Sequence, residues 1–197
     1  HLANEIAVKY YEIPKDQRNG KCQITVSTSF FVPKPFTPFQ WASMFMPGDY
    51  LGFARTVNHE IKSMLNQKSI RYMWHEADVT VLEGFLARGD RRTAKVILEA
   101  YRLGALFDAW TECWDYEKWH RAFENTGIDM HFYTMRQRAD DEIFPWDFID
   151  IGVTKKFLLR EWHRAREEQV TTPNCRMKCS GCGAGRYKGG VCIESKN

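Results

Sequence analysis

Cys22 to Val32 reads CQITVSTSFFV, the clearest strand in the chain. Side chains alternate along an extended backbone, so Ile24, Val26, Thr28 and Phe30 share one face. Thr25, Ser27, Ser29 and Phe31 share the other. Upstream, Leu2, Ile6, Ala7 and Tyr10 recur at helical spacing. Pro14 closes that helix, and Lys15 to Lys21 is a polar loop holding the turn signal Asn19-Gly20. A helix, a short loop and a strand with small polar groups on one side suit a repeating βα unit. In a closed parallel barrel the apolar face would meet outer helices and the Ser/Thr face would look inward. Ser27 and Ser29 are therefore the residues expected to face the barrel interior, as the lining of a cavity or as small polar fillers where strands crowd. The strand runs into Pro33-Lys34-Pro35-Phe36-Thr37-Pro38, at the carboxyl end where such barrels keep their active sites.

Beyond Trp41 the pattern turns helical. Leu51, Ala54, Val57, Ile61 and Leu65 are spaced by three and four within Gly48 to Leu65, and Ile70 to Trp74 is a short strand candidate. Asp78 is placed to cap a helix through Ala87, with Arg88-Gly89-Asp90 as its stop. Thr93 to Leu103 makes another helix, ending at Gly104. Tyr116 to Asn125 is closed by Gly127, Phe144 to Asp147 is a loop, and Thr154 caps a last helix to about Gln169. No internal repeat or low-complexity segment interrupts this order.

Four of the six cysteines sit in the tail: Cys175, Cys179, Cys182 and Cys192. The first three are spaced C-x3-C-x2-C among Ser180, Gly181, Gly183 and Gly185. Glycines permit the positive φ by which a tight loop turns several thiolates onto one ion or cluster. No secretory signal pattern is present and Cys22 and Cys113 are isolated, so a disulfide reading is the weaker one. Four thiolates suit structural Zn²⁺ and an iron–sulfur cluster equally well.

Composition sets the outer bounds. With 44% apolar and 27% charged residues, the 197-residue chain reads as globular and not disordered. Seven Trp and thirteen Phe make any core bulky. The net charge of +3 permits nucleic-acid contact without arguing for it. No apolar run approaches the roughly 20 residues of a membrane span, so no membrane partner and a cytoplasmic location are expected. The chain opens at His1 inside a helical pattern and reads as a piece of something longer.

Val26 to Trp41, VSTSFFVPKPFTPFQW, resembles the late barrel strand and following loop of radical SAM (S-adenosylmethionine) enzymes. Leu82–Arg92 (LEGFLARGDRR), Ala100–Trp110 (AYRLGALFDAW), Phe144–Trp162 (FPWDFIDIGVTKKFLLREW) and the PNCRMKCSGCG tail extend the likeness over nearly the whole chain. Together they look like the carboxyl-terminal half of a family of radical SAM proteins with an N-terminal cobalamin-binding domain. The resemblance implies a cobalamin domain, the SAM-cluster cysteines and most of a barrel upstream, in the chain's own polypeptide. It implies SAM, a [4Fe-4S] cluster and cobalamin as cofactors of that intact protein. The chemistry implied is reductive cleavage of SAM to a 5′-deoxyadenosyl radical, or cobalamin-assisted group transfer. C-x3-C-x2-C is also the spacing of the SAM-cluster ligands in such enzymes, but that triad precedes many barrel strands. Too little chain follows Cys182 for that, so with Cys192 the tail site reads as closed, structural or electron-carrying.

Other residues carry weaker signals. Arg88, Asp90, Arg91 and Arg92 form a charged knot, either a grip for phosphate or carboxylate or a capping and salt-bridge turn. His59, His75, His120, His131 and His163 lack a second His or Cys at ligand spacing. Glu76, Asp78 and Glu83 are a possible acid or base, or a solvated helix start. Phe107, Trp110, Trp114, Trp119 and Phe123 read as bulky core rather than a base-stacking platform, because acidic residues surround them.

The expected architecture is α+β and mostly helical. Residues 1–46 would be the last helix and strand of a (β/α) radical SAM barrel, 47–170 a mostly helical domain, and 171–197 a small cysteine-rich metal-binding knuckle. Two other functions stay open: a module docking RNA or a ribosomal component, and a zinc-stapled structural domain.

Overall fold

In a computed structural model, residues 1–44, 50–64, 66–169 and 174–187 are described. Nine elements follow one another: α1 (Leu2–Glu12), β1 (Ile24–Thr28), α2 (Tyr50–Ser63), β2 (Ile70–Trp74), α3 (Ala77–Arg88), α4 (Thr93–Arg102), α5 (Tyr116–Thr126), α6 (Met130–Thr134) and α7 (Lys155–Arg166). The described chain is α+β and mostly helical, as its composition and periodicity predict.

The chain divides into two compact units, and not into three consecutive segments. One comprises His1–Phe31 with Phe45–Thr80; the other comprises Val32–Met44 with Val81–Asn197. The cause is strand pairing: β2 hydrogen-bonds to β1 and so draws the segment after Met44 into the first unit.

In the first unit β1 and β2 run parallel, with Ile24 opposite Ile70 and Thr28 opposite Trp74. Parallel neighbours require a crossover, and α2 lies in that connection. β1 is shorter than the stretch Cys22 to Val32. Its ladder stops where β2 stops, with the His75 N–H on the Thr28 carbonyl at 3.2 Å. The alternation holds from Ile24 to Ser27, with Ile24 and Val26 half-buried and Thr25 and Ser27 exposed, but Thr28 on the first face is exposed too, as is Ser29 just past the strand. In α1 only Ala7 is buried, and Leu2 and Ile6 lie open to solvent. The Tyr10 hydroxyl donates to the Gly20 carbonyl at 2.8 Å, fixing the expected turn. Gly48, Asp49 and Leu65, read as parts of the second helix, lie outside the described residues.

The second unit holds two apolar clusters. Phe85 and Val96, both fully buried, pack with Leu82, Ala100, Trp119, Ala122 and Tyr133, joining α3 to α6. Trp41, Phe144, Trp146, Leu158 and Trp162 form the other, around α7. Caps read from the sequence recur as geometry. The Thr154 Oγ1 accepts from the Phe157 N–H, and Gly127 closes α5 at φ +62. Asp78, however, lies inside the first turn of α3 and does not cap it. The five-residue helix α6 was not evident from periodicity; it starts where the Asp129 carboxylate accepts from the His131 N–H. Of the five aromatics assigned to the core, Trp114, Trp119 and Phe123 are there, but Phe107 and Trp110 are exposed.

Candidate functional site

Thr37-Pro38 begins a single 3-10 turn through Trp41, and the segment before it folds back tightly. The Thr37 hydroxyl donates to the Lys34 carbonyl at 2.8 Å. The Gln40 side chain, 2% exposed, serves as the hub. Its Oε1 accepts from the Phe36 N–H at 3.1 Å and from the Trp146 Nε1–H at 2.9 Å. Phe36 is held at φ +61, a left-handed conformation costly for a bulky residue. Gln40 thus offsets backbone strain in a stretch singled out by its prolines. The Lys34 ammonium meets the Glu83 carboxylate, so Glu83 is an ion-pair partner rather than a free base.

Phe36 and Gln40 form one wall of a cavity of about 310 Å³. Val153 and Leu158 supply apolar lining. Two ion pairs stand around it: Lys155 with Asp147, and Arg186 with Asp150. Asp150 titrates below the usual carboxylate range, mainly because the Gly152 N–H donates to it, helped by Tyr187 and the Arg186 charge. Among the described residues no His or Cys lines this space, and its carboxylates are paired. The arrangement suits holding a small molecule with an apolar body and polar ends, rather than proton transfer.

Arg186 comes from the tail, so the cysteine loop builds part of this wall. The described tail starts with a turn in which the Asn174 carboxamide oxygen accepts from the Arg176 N–H at 3.0 Å. The Arg160 Nη2 donates to the Ser180 carbonyl at 2.7 Å. The Thr154 N–H donates to the Cys182 carbonyl at 2.8 Å. Gly183 sits at φ +104, where a Cβ would lie 2.8 Å from the Thr154 Cγ2 and 3.1 Å from the Gly152 carbonyl. At Gly152 a Cβ would lie 2.7 Å from the Tyr187 ring. Both glycines permit an approach no other residue allows without displacement.

Cys175 and Cys179 are exposed, Cys182 is half-buried, and all three are free thiols. Their donor chemistry suits a thiophilic metal. As placed, however, no three His, Cys, Asp or Glu side chains among the described residues group to hold a metal ion. Cys192, the expected fourth ligand, lies outside the described residues. Comparison with family models, with characterised proteins and with solved structures gave no match.

The remaining candidates separate. Ser27 and Ser29 stand on the exposed face of β1. The charged knot splits in two. Asp90 organises the turn into α4, accepting from the Arg92 N–H at 2.8 Å, pairing with the Arg92 guanidinium at 2.6 Å and accepting from the Tyr133 hydroxyl at 3.2 Å. The Arg92 hydrogen bond chiefly holds the Asp90 carboxyl below its ordinary range. Arg88 instead turns inward and is fully buried. His163 pairs with Asp140 at 2.9 Å, and His120 lies 3.6 Å from Glu124. Sequence reading missed Arg136, Arg138 and Glu142, where Arg136 grips both Glu142 oxygens at 2.7 Å. Their alternation, R-x-R-x3-E, was the available signal. Among the described residues no helix is long and apolar enough to cross a membrane.

Proposed function

We propose that this chain is the carboxyl-terminal part of a radical SAM enzyme. The helical second unit would offer a binding cavity and the tail an accessory metal or cluster site. One observation carries the reading: β1 and β2 pair in parallel across a helical connection, as strands of an α/β barrel do. The stretch that most resembles those enzymes leaves from the carboxyl end of β1, where barrel enzymes keep their sites. The open Ser27 and Ser29 face and the uncovered Leu2 and Ile6 are consistent with further strands and helices beside this unit.

In the intact protein a [4Fe-4S] cluster, SAM and cobalamin would supply radical or group-transfer chemistry. This chain's own residues bind and orient. Gln40 keeps the Phe36 turn in place, the two ion pairs set polar ends to the cavity, and the tail closes one side. Cys175, Cys179, Cys182 and Cys192 are proposed to ligate an iron–sulfur cluster or zinc. That requires the loop to draw together on loading, so metal binding and tail folding would be one event. A structural staple is the second reading, favoured by the Thr154–Cys182 and Arg160–Ser180 bonds that seat the loop on α7.

The test is anaerobic incubation of the complete gene product with SAM and dithionite, following 5′-deoxyadenosine. Its formation there, and its absence with this chain alone, is expected; none from the complete product overturns the family reading. Metal analysis of this chain resolves the tail separately. Iron, sulfide and a band at about 400 nm mean a cluster, one colourless zinc means a staple, and neither removes the tail site.

A further inference from the structure

Four residues of the second unit are stitched together through three backbone carbonyls. The Arg88 Nη1 donates to the Ala42 carbonyl at 2.8 Å, and the Arg138 Nη2 donates to the Arg88 carbonyl at 3.0 Å. The Arg138 N–H donates to the Trp41 carbonyl at 2.9 Å. Arg88 and Trp41 are 0% exposed and Arg138 is 3% exposed. Four donors in this group are buried without a hydrogen-bond partner among the described residues: Arg88 Nε, Arg88 Nη2, Arg138 Nε and Trp41 Nε1.

The pattern of what is missing is informative. Nε and Nη2 form one complete edge of the Arg88 guanidinium, the edge that matches two oxygens of a carboxylate or phosphate. Every unmet atom is a donor, so the complement is a group that only accepts. The local charge agrees. Arg88, Arg136 and Arg138 stand near Glu142, whose two oxygens Arg136 already holds and one of which lies 3.5 Å from the Arg138 Nη1; Asp90 acts on Arg138 as well, so three cations share two carboxylates. Arg138 lies over the Phe144 and Trp146 rings, 5.3 and 5.1 Å from their centroids, which offsets part of its charge. No ring lies under Arg88 in this way, and Glu142 offsets only part of its charge: burial first, then the neighbouring arginines, pull its pKa down to about 10. A buried cation with an open fork is expensive, and a neutral water would satisfy donors without balancing charge.

We propose that Arg88, with Arg138 and Trp41 beside it, binds a small oxyanion, a carboxylate or a phosphate, in the second unit. This site is distinct from the cavity beside Phe36 and from the tail cysteines. Because the fork is buried, the ion enters during folding or through local opening, and its effect reads out in equilibrium unfolding.

The experiment is thermal unfolding of this chain at pH 7 in sodium phosphate, sodium acetate and sodium chloride at matched ionic strength. At roughly ten times the dissociation constant, phosphate or acetate raises the midpoint by about 4 °C over chloride, and the rise saturates. A rise in acetate alone identifies a carboxylate ligand; a rise in phosphate alone identifies a phosphate. Arg88→Met removes the saturating rise, and Arg88→Lys, which keeps the charge without the fork, removes most of it. Equal midpoints in the three salts overturn the proposal. So does an unsaturable rise, the mark of general salt exclusion, or a saturating rise that survives both variants. The wild-type saturation curve decides the matter even where a variant does not fold.

Discussion

The Thr154 N–H donates to the Cys182 carbonyl oxygen at 2.8 Å, so the residue that caps α7 also holds the cysteine loop. The Thr154 hydroxyl serves the helix while its backbone serves the tail. The placement of the cysteine loop therefore bears on the start of α7 and on the cavity wall that Arg186 completes.

Gly183→Ala is expected to release the tail. The substitution places a Cβ at φ +104 against Thr154, a strain of about 1–3 kcal/mol. Labelling with a thiol reagent reads this out. The half-buried Cys182 reacts at least about fivefold faster, while the exposed Cys175 and Cys179 are unchanged. An unaltered Cys182 rate would mean the contact does not hold the loop.

Gln40→Ala removes the acceptor shared by Phe36 and Trp146 and leaves two buried donors unmet. The expected loss is about 2–4 kcal/mol, a fall of roughly 4–16 °C in the unfolding midpoint. Calorimetry of the variant checks this, and a fall under one degree would deny Gln40 its role as hub.

Acid stability should depend on Glu142. The Arg136 hydrogen bond holds its carboxyl below the ordinary glutamate value of about 4.5, and Glu142 in turn raises the Arg136 pKa. A carboxylate depressed in the folded state contributes stability above its unfolded pKa and loses it as pH falls through the folded one. Glu142→Gln should therefore unfold at lower temperature than wild type at pH 7. The gap should close below pH 4.5, and a gap constant across pH would assign the effect to packing.

Phe85 and Phe107 should respond in opposite ways. Phe85 is fully buried against Phe123 and Tyr133, with centroids at 4.8 and 5.3 Å, so Phe85→Ala costs about 3–5 kcal/mol. Phe107 is 73% exposed at φ +59, and Phe107→Gly relieves the left-handed backbone at little cost in burial. Urea unfolding should show a large loss for the first and a neutral or stabilising change for the second.

Local rules were legible in the sequence wherever the physics is local. Alternation marked β1, apolar spacing marked α1 and α2, and Gly104, Gly127 and Thr154 marked helix ends, because such signals need only a few neighbouring residues. The free thiols at C-x3-C-x2-C spacing were legible for the same reason. Position of the sheet partner was not. β1 and β2 are distant in sequence, and their pairing groups the segment after Met44 with the first unit. Phe107 and Trp110 read as core because composition records apolar character and not which neighbours cover it.

The candidate sites divide along the same line. Sequence by itself determined which side chains were available: tail thiols, a proline-rich turn, a knot of arginines. Only tertiary structure decided that Asp90 takes Arg92, that Arg88 turns inward to Ala42 and Arg138, and that the tail closes a cavity beside Phe36. Charge in a sequence is formal, whereas its cost and use depend on burial and partners, and those come from residues some 46 and 50 positions away.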